Sequence, residues 1–258
     1  MKLYGVVTMD IVDSRNIPNR EMLQQKLKKY FGVIHQKYYD SLVSQINFTL
    51  GDEWQLITSK PENCYDIIHD FQRLLWQDNV KFYSGIGIGE LKTDIYEDTR
   101  RMDGSCFIMA REAINIAKQS SKKRTKYIYS KTNKVFLKSI MSYVSVQNHF
   151  LKTKGNIPFN EEVAVDVVDC NELISLDDII NVVIENNEIL KSRLTRKQKI
   201  IYIEYMKHKS YRKIIEKNAD KLNETIGGIS QKLNSAEYFT IQRNHGMVKL
   251  LINLLTSI

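Results

Sequence analysis

Residues 46–57 read Ile46-Asn47-Phe48-Thr49-Leu50-Gly51-Asp52-Glu53-Trp54-Gln55-Leu56-Ile57: two runs of strand-forming residues on either side of Gly51-Asp52. Gly followed by Asp between such runs is the chemistry of a two-residue hairpin turn. Working outward, Leu3-Tyr4-Gly5-Val6-Val7-Thr8-Met9 is an apolar, β-branched run closed by Asp10-Ile11-Val12-Asp13-Ser14, which predicts a buried strand. Between that strand and the hairpin, Leu23, Leu27, Tyr30, Ile34 and Tyr38 recur at helical spacing over residues 19–44. Beyond the hairpin a helix is expected over 65–77, a strand over 81–91 and a helix over 105–120. The order strand, helix, strand, strand, helix, strand, helix defines an α+β, ferredoxin-like arrangement.

Residues 126–129 and 163–168 also read as strands, and from residue 173 onward the pattern is helical. The expected organisation is therefore an α+β domain over 1–170 and an all-helical domain over 171–258. Charge divides the chain in a similar place. The 258 residues carry a net +8. Residues 1–190 hold 24 basic and 25 acidic side chains, and residues 191–258 hold 14 basic and 5 acidic, so the excess lies in the last quarter. A neutral body with a basic tail points to a polyanion as the partner of the tail. Cys64, Cys106 and Cys170 are widely spaced with no Cys/His cluster, which excludes a disulfide framework and a zinc site and favours reduced thiols. The chain opens without a signal-peptide core and holds no apolar run of ~18 residues, so a cytoplasmic protein without a membrane span is expected.

Asp10 closes the first strand and Asp52 sits in the hairpin turn. A sheet that pairs these strands brings both carboxylates to one edge, where a divalent cation would relieve their repulsion. Mg²⁺ is held by one or two carboxylates together with substrate phosphates, so Asp10 and Asp52 are the candidate metal ligands, with Asp13 and Glu53 beside them. In Gly85-Ile86-Gly87-Ile88-Gly89-Glu90 strand alternation puts three glycines on one face, bare enough for a helix or a ligand to approach the backbone. Arg111, Asn115 and Lys118 share one face of the following helix, where they could hold phosphates. The candidate nucleotide- or phosphate-binding residues are thus Gly51, Gly85, Gly87, Arg111 and Lys118.

Asp-Ile-Val-Asp after a first strand, Leu-Gly-Asp-Glu in a hairpin and a glycine-rich strand together resemble the palm-like core of class III nucleotidyl cyclases and diguanylate cyclases. That resemblance implies a nucleotide ligand and metal-assisted phosphoryl transfer. It also implies a purine-reading lysine before the turn, where this chain has Phe48. The Asn and Arg that serve the transition state in the cyclases are matched here by Ile108 and Glu112.

In the basic quarter, Leu194-Thr195-Arg196-Lys197-Gln198 caps and starts an amphipathic helix, and Ser210 caps a short one over 211–216. After a polar link, Thr225-Ile226-Gly227-Gly228-Ile229-Ser230-Gln231-Lys232-Leu233-Asn234 starts a third helix expected to run to 238. The segment 194–240 resembles a helix-turn-helix of the sigma-factor region-4 type. The resemblance implies double-stranded DNA as partner, with Ser230, Gln231 and Asn234 toward bases and Lys232, Arg212 and Lys213 toward phosphates. A palm-like domain followed by such a helix-turn-helix is similar to the SatD family. The expectation is a regulator in which a nucleotide bound with Mg²⁺ alters the orientation or homodimerisation of a DNA-binding domain. The alternative is a divergent nucleotidyl transferase or cyclase that uses Asp10 and Asp52 as metal ligands.

Overall fold

In the computed structural model residues 2–120, 127–141, 175–222 and 224–257 are described. The Gly51-Asp52 turn joins β2 (Asn47–Leu50) to β3 (Glu53–Thr58), with Leu50 and Glu53 facing each other across it. Gly51 adopts φ +62°, a left-handed conformation natural to glycine. β1 (Tyr4–Ile11) lies in the middle of the sheet, antiparallel to β3 on one side and to β4 (Phe82–Gly89) on the other. The strand order is β2-β3-β1-β4-β5, where β5 (Val135–Ser139) runs parallel to β4. With α1 (Arg20–Lys37) between β1 and β2 and α2 (Cys64–Leu75) between β3 and β4, two β-α-β units interleave in one mixed α/β sheet.

Helix α1 begins where Asn19 accepts the Met22 backbone N–H, and it stops at Lys37, short of the expected residue 44. The chain then turns back so that Leu42 bridges to Thr58 beside β3. Residues 127–130 form no strand, because the edge strand comes later, at β5. The expected strand over 163–168 lies outside the described residues. β5 was illegible since Val135-Phe136-Leu137-Lys138-Ser139 is short and is flanked by no clear turn signal.

Alternation gives the sheet two different faces. Val7, Met9, Ile11, Trp54, Leu56, Ile86, Ile88, Val135 and Leu137 point to one side and pack on α1 and α2. Tyr4, Val6 and Ile57 point to the other and meet Cys106 and Ala110 of α3 (Ser105–Ser120). Helix α3 lies along β4 because Gly85, Gly87 and Gly89 offer it no side chain. A Cβ on Gly87 would stand 2.1 Å from the Cys106 carbonyl oxygen and 2.2 Å from the Ala110 nitrogen.

Five helices follow: α4 (Leu176–Ser192), α5 (Arg196–His208), α6 (Tyr211–Leu222), α7 (Ile226–Ser235) and α8 (Tyr238–Ser257). The expected boundary between residues 170 and 171 is corrected by their packing. Leu176, Ile180 and Ile184 of α4, and Val248, Ile252 and Leu255 of α8, belong to the core of the sheet. Helix α4 also covers the open edge of β5. The Asn181 side chain accepts from the Leu137 N–H at 2.8 Å and donates to its carbonyl at 2.9 Å, while Asp177 accepts the Ser139 N–H at 2.7 Å. An exposed strand edge is thereby closed by side chains. Helices α5, α6, α7 and the start of α8 build a second core, around Ile201, Tyr202, Ile214, Ile229, Leu233, Tyr238 and Ile241, with Leu190 of α4 and Trp76 packed against it.

Two glycine substitutions separate close packing from helix propensity. Gly87→Ala forces α3 off the sheet and is expected to cost at least about 3 kcal/mol. Gly32→Ala, on an exposed face of α1 with open space around it, is expected to stabilise by about 0.5–1 kcal/mol. Urea unfolding of both variants checks the pair; equal effects would mean that α3 does not sit on the glycine face.

Candidate functional site

The period of β1 places Thr8 and Asp10 on the same face of the sheet as α3, and antiparallel pairing sets Glu53 directly across from Asp10. Asp52 precedes Glu53 in the hairpin turn. The fold therefore brings Asp10, Asp52 and Glu53 to one end of the β1–β3 pair. Further along the strands on this face, Gln55 donates to the Thr8 hydroxyl at 2.8 Å, a buried polar pair that needs no outside partner.

Each of the three acids meets a base from a helix. Arg111 of α3 donates two hydrogen bonds to Glu53, at 2.6 and 2.7 Å, in a fork-to-fork pair. About two turns further along α3, Lys118 Nζ lies 2.7 Å from Asp10 and 4.0 Å from Glu53. Arg20, the first residue of α1, reaches Asp52 at 3.2 Å, and Gln24 one turn on donates to the Gly51 carbonyl at 3.3 Å. Glu53 is the buried member, with only 7% of its side chain exposed, and Thr49 donates to it as well, at 2.7 Å. Burial works against its charge, but the hydrogen bonds from Arg111 and Thr49 and the charges of Arg111 and Lys118 outweigh it. They hold the Glu53 carboxyl below the usual carboxylate range. The same hydrogen bonding raises the Arg111 guanidinium, so this pair stays ionised.

The candidate residues fall into three groups. Asp10, Glu53, Arg111 and Lys118 are brought together, while Asp52, one residue before Glu53, pairs with Arg20 of α1. Asp13 is not among them: it follows β1 in a left-handed conformation (φ 51°), exposed, and its charge acts on Lys134 at the start of β5. Gly85 and Gly87 are corrected as nucleotide contacts, because α3 occupies their bare face; a Cβ on Gly85 would lie 2.3 Å from the Ile114 nitrogen. Gly51 stays at an exposed turn with open space around it. Phe48 packs on Phe31 with ring centroids 5.1 Å apart, on the core side of the sheet. Ile108 is exposed and Glu112 pairs with Lys138. Arg20 was missed, since nothing in the spacing links residue 20 to residue 52; only the fold does.

A metal at this corner has a limited donor set. Among the described residues no group of three or more His, Cys, Asp or Glu side chains could hold an ion. Asp10 and Asp52 supply hard oxygen ligands of the kind Mg²⁺ takes with phosphate and water, but Lys118 and Arg20 occupy them. Glu53 is committed to Arg111.

In the helical part, α6 runs to Leu222, beyond the expected residue 216, so only residues 223–225 separate it from α7. The long polar link of the sequence reading is thus mostly helix. Helix α7 is shorter than expected: it ends at Ser235, and Glu237 at φ 51° breaks it from α8. Thr225 caps α7 by accepting the Gly228 N–H at 3.0 Å. Ile229 and Leu233 face inward, while Gln231 and Asn234 are exposed on the other side and Ser230 is half-buried. Arg212 and Lys213 are exposed at the start of α6. Lys232 is held back, 2.8 Å from Glu224, which also takes Lys197 at 2.7 Å.

These features define an α+β protein with charge-paired acids at one end of the β1–β3 pair and a basic helical extension. The chain belongs to the SatD family, whose model matches residues 4–165. No curated protein matches it. No helix among the described residues is long and apolar enough to cross a membrane.

The Glu53–Arg111 clamp has a signature in pH. A carboxyl whose folded pKa is depressed contributes stability above its unfolded pKa, and that contribution is lost as the pH falls through the folded value. Arg111→Met should destabilise by about 1–2 kcal/mol at pH 7, half of Arg111 being exposed. The gap to the wild type should narrow as the pH drops below about 4. Urea titrations at pH 7 and pH 3.5 measure it; a gap that does not change with pH would show that Glu53 is not the titrating partner.

Proposed function

We propose that this protein is a DNA-binding regulator whose sheet domain is palm-like and takes a nucleotide with Mg²⁺ at Asp10 and Asp52. The observation that carries the reading is the trihelical unit α5–α7. It has a core of its own, a short connection between its last two helices and a half-exposed last helix that turns Gln231 and Asn234 outward. A helix in the major groove reads base edges with such amide side chains, and Arg212 and Lys213 at the start of the preceding helix would meet phosphates. The positive excess of the last quarter supplies the sequence-independent part of the affinity.

The input site is read from the charge-paired corner. Lys118 and Arg20 neutralise the two aspartates in the absence of a ligand. A nucleotide phosphate would draw these cations toward itself, and a bound Mg²⁺ would take their place on the carboxylates. The signal has a covalent path, because α8 starts in the trihelical core at Tyr238 and Ile241 and ends in the sheet core at Val248, Ile252 and Leu255. The enzymatic alternative, a divergent nucleotidyl transferase, is favoured by the pairing of Asp10 with Glu53 beside Asp52. It lacks donors for the developing charge, since Ile108 is apolar and Glu112 acidic.

Deleting the helical segment is a poor test, since α8 fills part of the sheet core; substitutions serve instead. Gel shifts with double-stranded DNA should show binding that weakens steeply with salt. Arg212→Ala and Lys213→Ala should each lower the slope of log K against log salt by about 0.9. Gln231→Ala and Asn234→Ala should reduce discrimination between sequences more than overall affinity. No binding at low salt, or identical slopes in all variants, would overturn the DNA reading. For the input site, Asp10→Asn should abolish Mg²⁺-dependent nucleotide binding by at least tenfold, measured calorimetrically; unchanged binding would remove the metal.

A further inference from the structure

A cleft of about 270 Å³ lies on the opposite side of the chain's logic from the acidic corner, where the start of β4 and the turn before β5 meet the junction of α4 and α5. Its walls carry Lys81, Lys131, Lys134, Lys191 and Lys199, with Trp76 as an apolar side. One acid lines it, Glu188, and that carboxylate is committed to Lys191, Tyr65 and Gln72. Among the described residues, Lys81, Lys131, Lys134 and Lys199 form no ion pair with a carboxylate. Lys134 rests instead 3.3 Å from the Lys131 carbonyl and over the Tyr83 ring, and Lys199 lies over the Trp76 ring at 5.6 Å.

Cations gathered this closely work against one another. Burial, and after it the charge of Lys81, hold both Lys134 and Lys199 below the usual lysine range; the charge of Asp13 opposes this at Lys134, more weakly. Such a cluster lowers the stability of the empty fold and is relieved by a bound anion. The volume is just under the roughly 300–1,000 Å³ of drug-sized sites, which suits a small, highly charged ligand. We infer that this cleft is a binding site for an oligophosphate anion, free or carried on a nucleoside, held between the sheet and the first helix of the trihelical unit. This site is separate from Asp10 and Asp52 and needs no divalent cation, because lysines supply all of the positive charge.

The test uses the full chain in EDTA, titrated with inorganic tripolyphosphate, ATP and adenosine and followed by thermal unfolding and calorimetry. Tripolyphosphate at a hundred times its Kd should raise the melting temperature by roughly 5–10 °C. ATP binding as tightly as tripolyphosphate would place recognition in the phosphates; ATP binding tenfold tighter would add the Trp76 wall and a nucleoside. Lys134→Gln and Lys199→Gln should each weaken tripolyphosphate at least tenfold while leaving the ligand-free protein as stable as before or more so, since each removes a repulsion. That second readout separates loss of the site from loss of the fold. Asp10→Asn should leave the affinity unchanged, so failure here and failure of the Mg²⁺ reading are distinguishable. No melting shift in the wild type, an equal shift in both lysine variants, or binding by adenosine alone would overturn the proposal.

Discussion

The close approach of α3 to β4 governs the chemistry of one whole face of the sheet. Three glycines, at 85, 87 and 89, leave backbone against backbone, and a single methyl group at any of them would fall within 2.1–2.5 Å of a helix atom. Because the helix cannot slide outward without losing that contact, its rotation is set, and with it the side chains on its flank. Arg111 and Lys118 are therefore aimed back over β1 and β3, where Asp10 and Glu53 are cross-strand partners. An alanine-lined helix face (Ala110, Ala113, Ala117) completes the fit. The site is thus a by-product of packing: the absence of side chains on one strand determines where charged ones on a helix can reach.

The second organising constraint is a buried polar seam that fastens α2 to the helical extension. Tyr65 donates to Glu188 at 2.9 Å and accepts from Asn187 at 3.1 Å, while Gln72 donates to Glu188 at 2.8 Å and accepts from Lys191 at 2.7 Å. Beside it, Gln242 donates to the Tyr202 hydroxyl at 2.7 Å, and the same hydroxyl shares a hydrogen bond with His69 Nε2 at 2.9 Å. Burial keeps His69 far below the usual histidine range, so it stays neutral. His245 is also depressed by burial, although its hydrogen bond to Asp66 at 3.0 Å opposes this. Polar seams of this kind gain little net energy over apolar packing, but they admit one register only. That is why the orientation of α5 and α8 on α2 is specific although much of the contact is not hydrocarbon.

How much of this was legible in the sequence depended on the range of the signal. The hairpin, β1 and the glycine strand were readable because period 2 and turn chemistry act over a few residues. The glycines told of a close approach and left open what would approach; α3 fills the space that a ligand had been allowed. That Asp10 and the hairpin acids lie toward one end of the β1–β3 pair could be expected, since strand pairing follows from the order of elements. Arg20 could not, because its link to Asp52 spans from the start of one helix to a turn beyond it. Helix ends were the weakest point. Tyr38 continued a period that the chain abandons at Lys37, and the polar stretch after residue 216 continues the helix to Leu222 and is not a link. The boundary at 170 failed for a related reason: α4 and the end of α8 have apolar faces, and composition does not say which core will receive them.

Charge links the two halves more closely than the division of the sequence suggested. In the body, the acids of the corner are matched one to one by Arg111, Lys118 and Arg20, so its near-neutral total is also a local neutrality. In the tail, part of the excess is consumed at home: Lys197 and Lys232 share Glu224, and Lys207 takes Glu204. Part of what remains lies at two places, the exposed start of α6 and the cleft where Lys199 faces Lys81 and Lys134 of the body. Two anionic ligands of different size would therefore draw on the same helical unit from different sides. The unit can serve both only if α5, which carries Lys199 and packs on α6 and α7, holds one orientation in the presence of each. On the proposed reading, a small anion in the cleft would fix α5 against the sheet and so set the angle at which α7 is presented, and occupancy of the cleft, besides that of the acidic corner, would then bear on what α7 can reach.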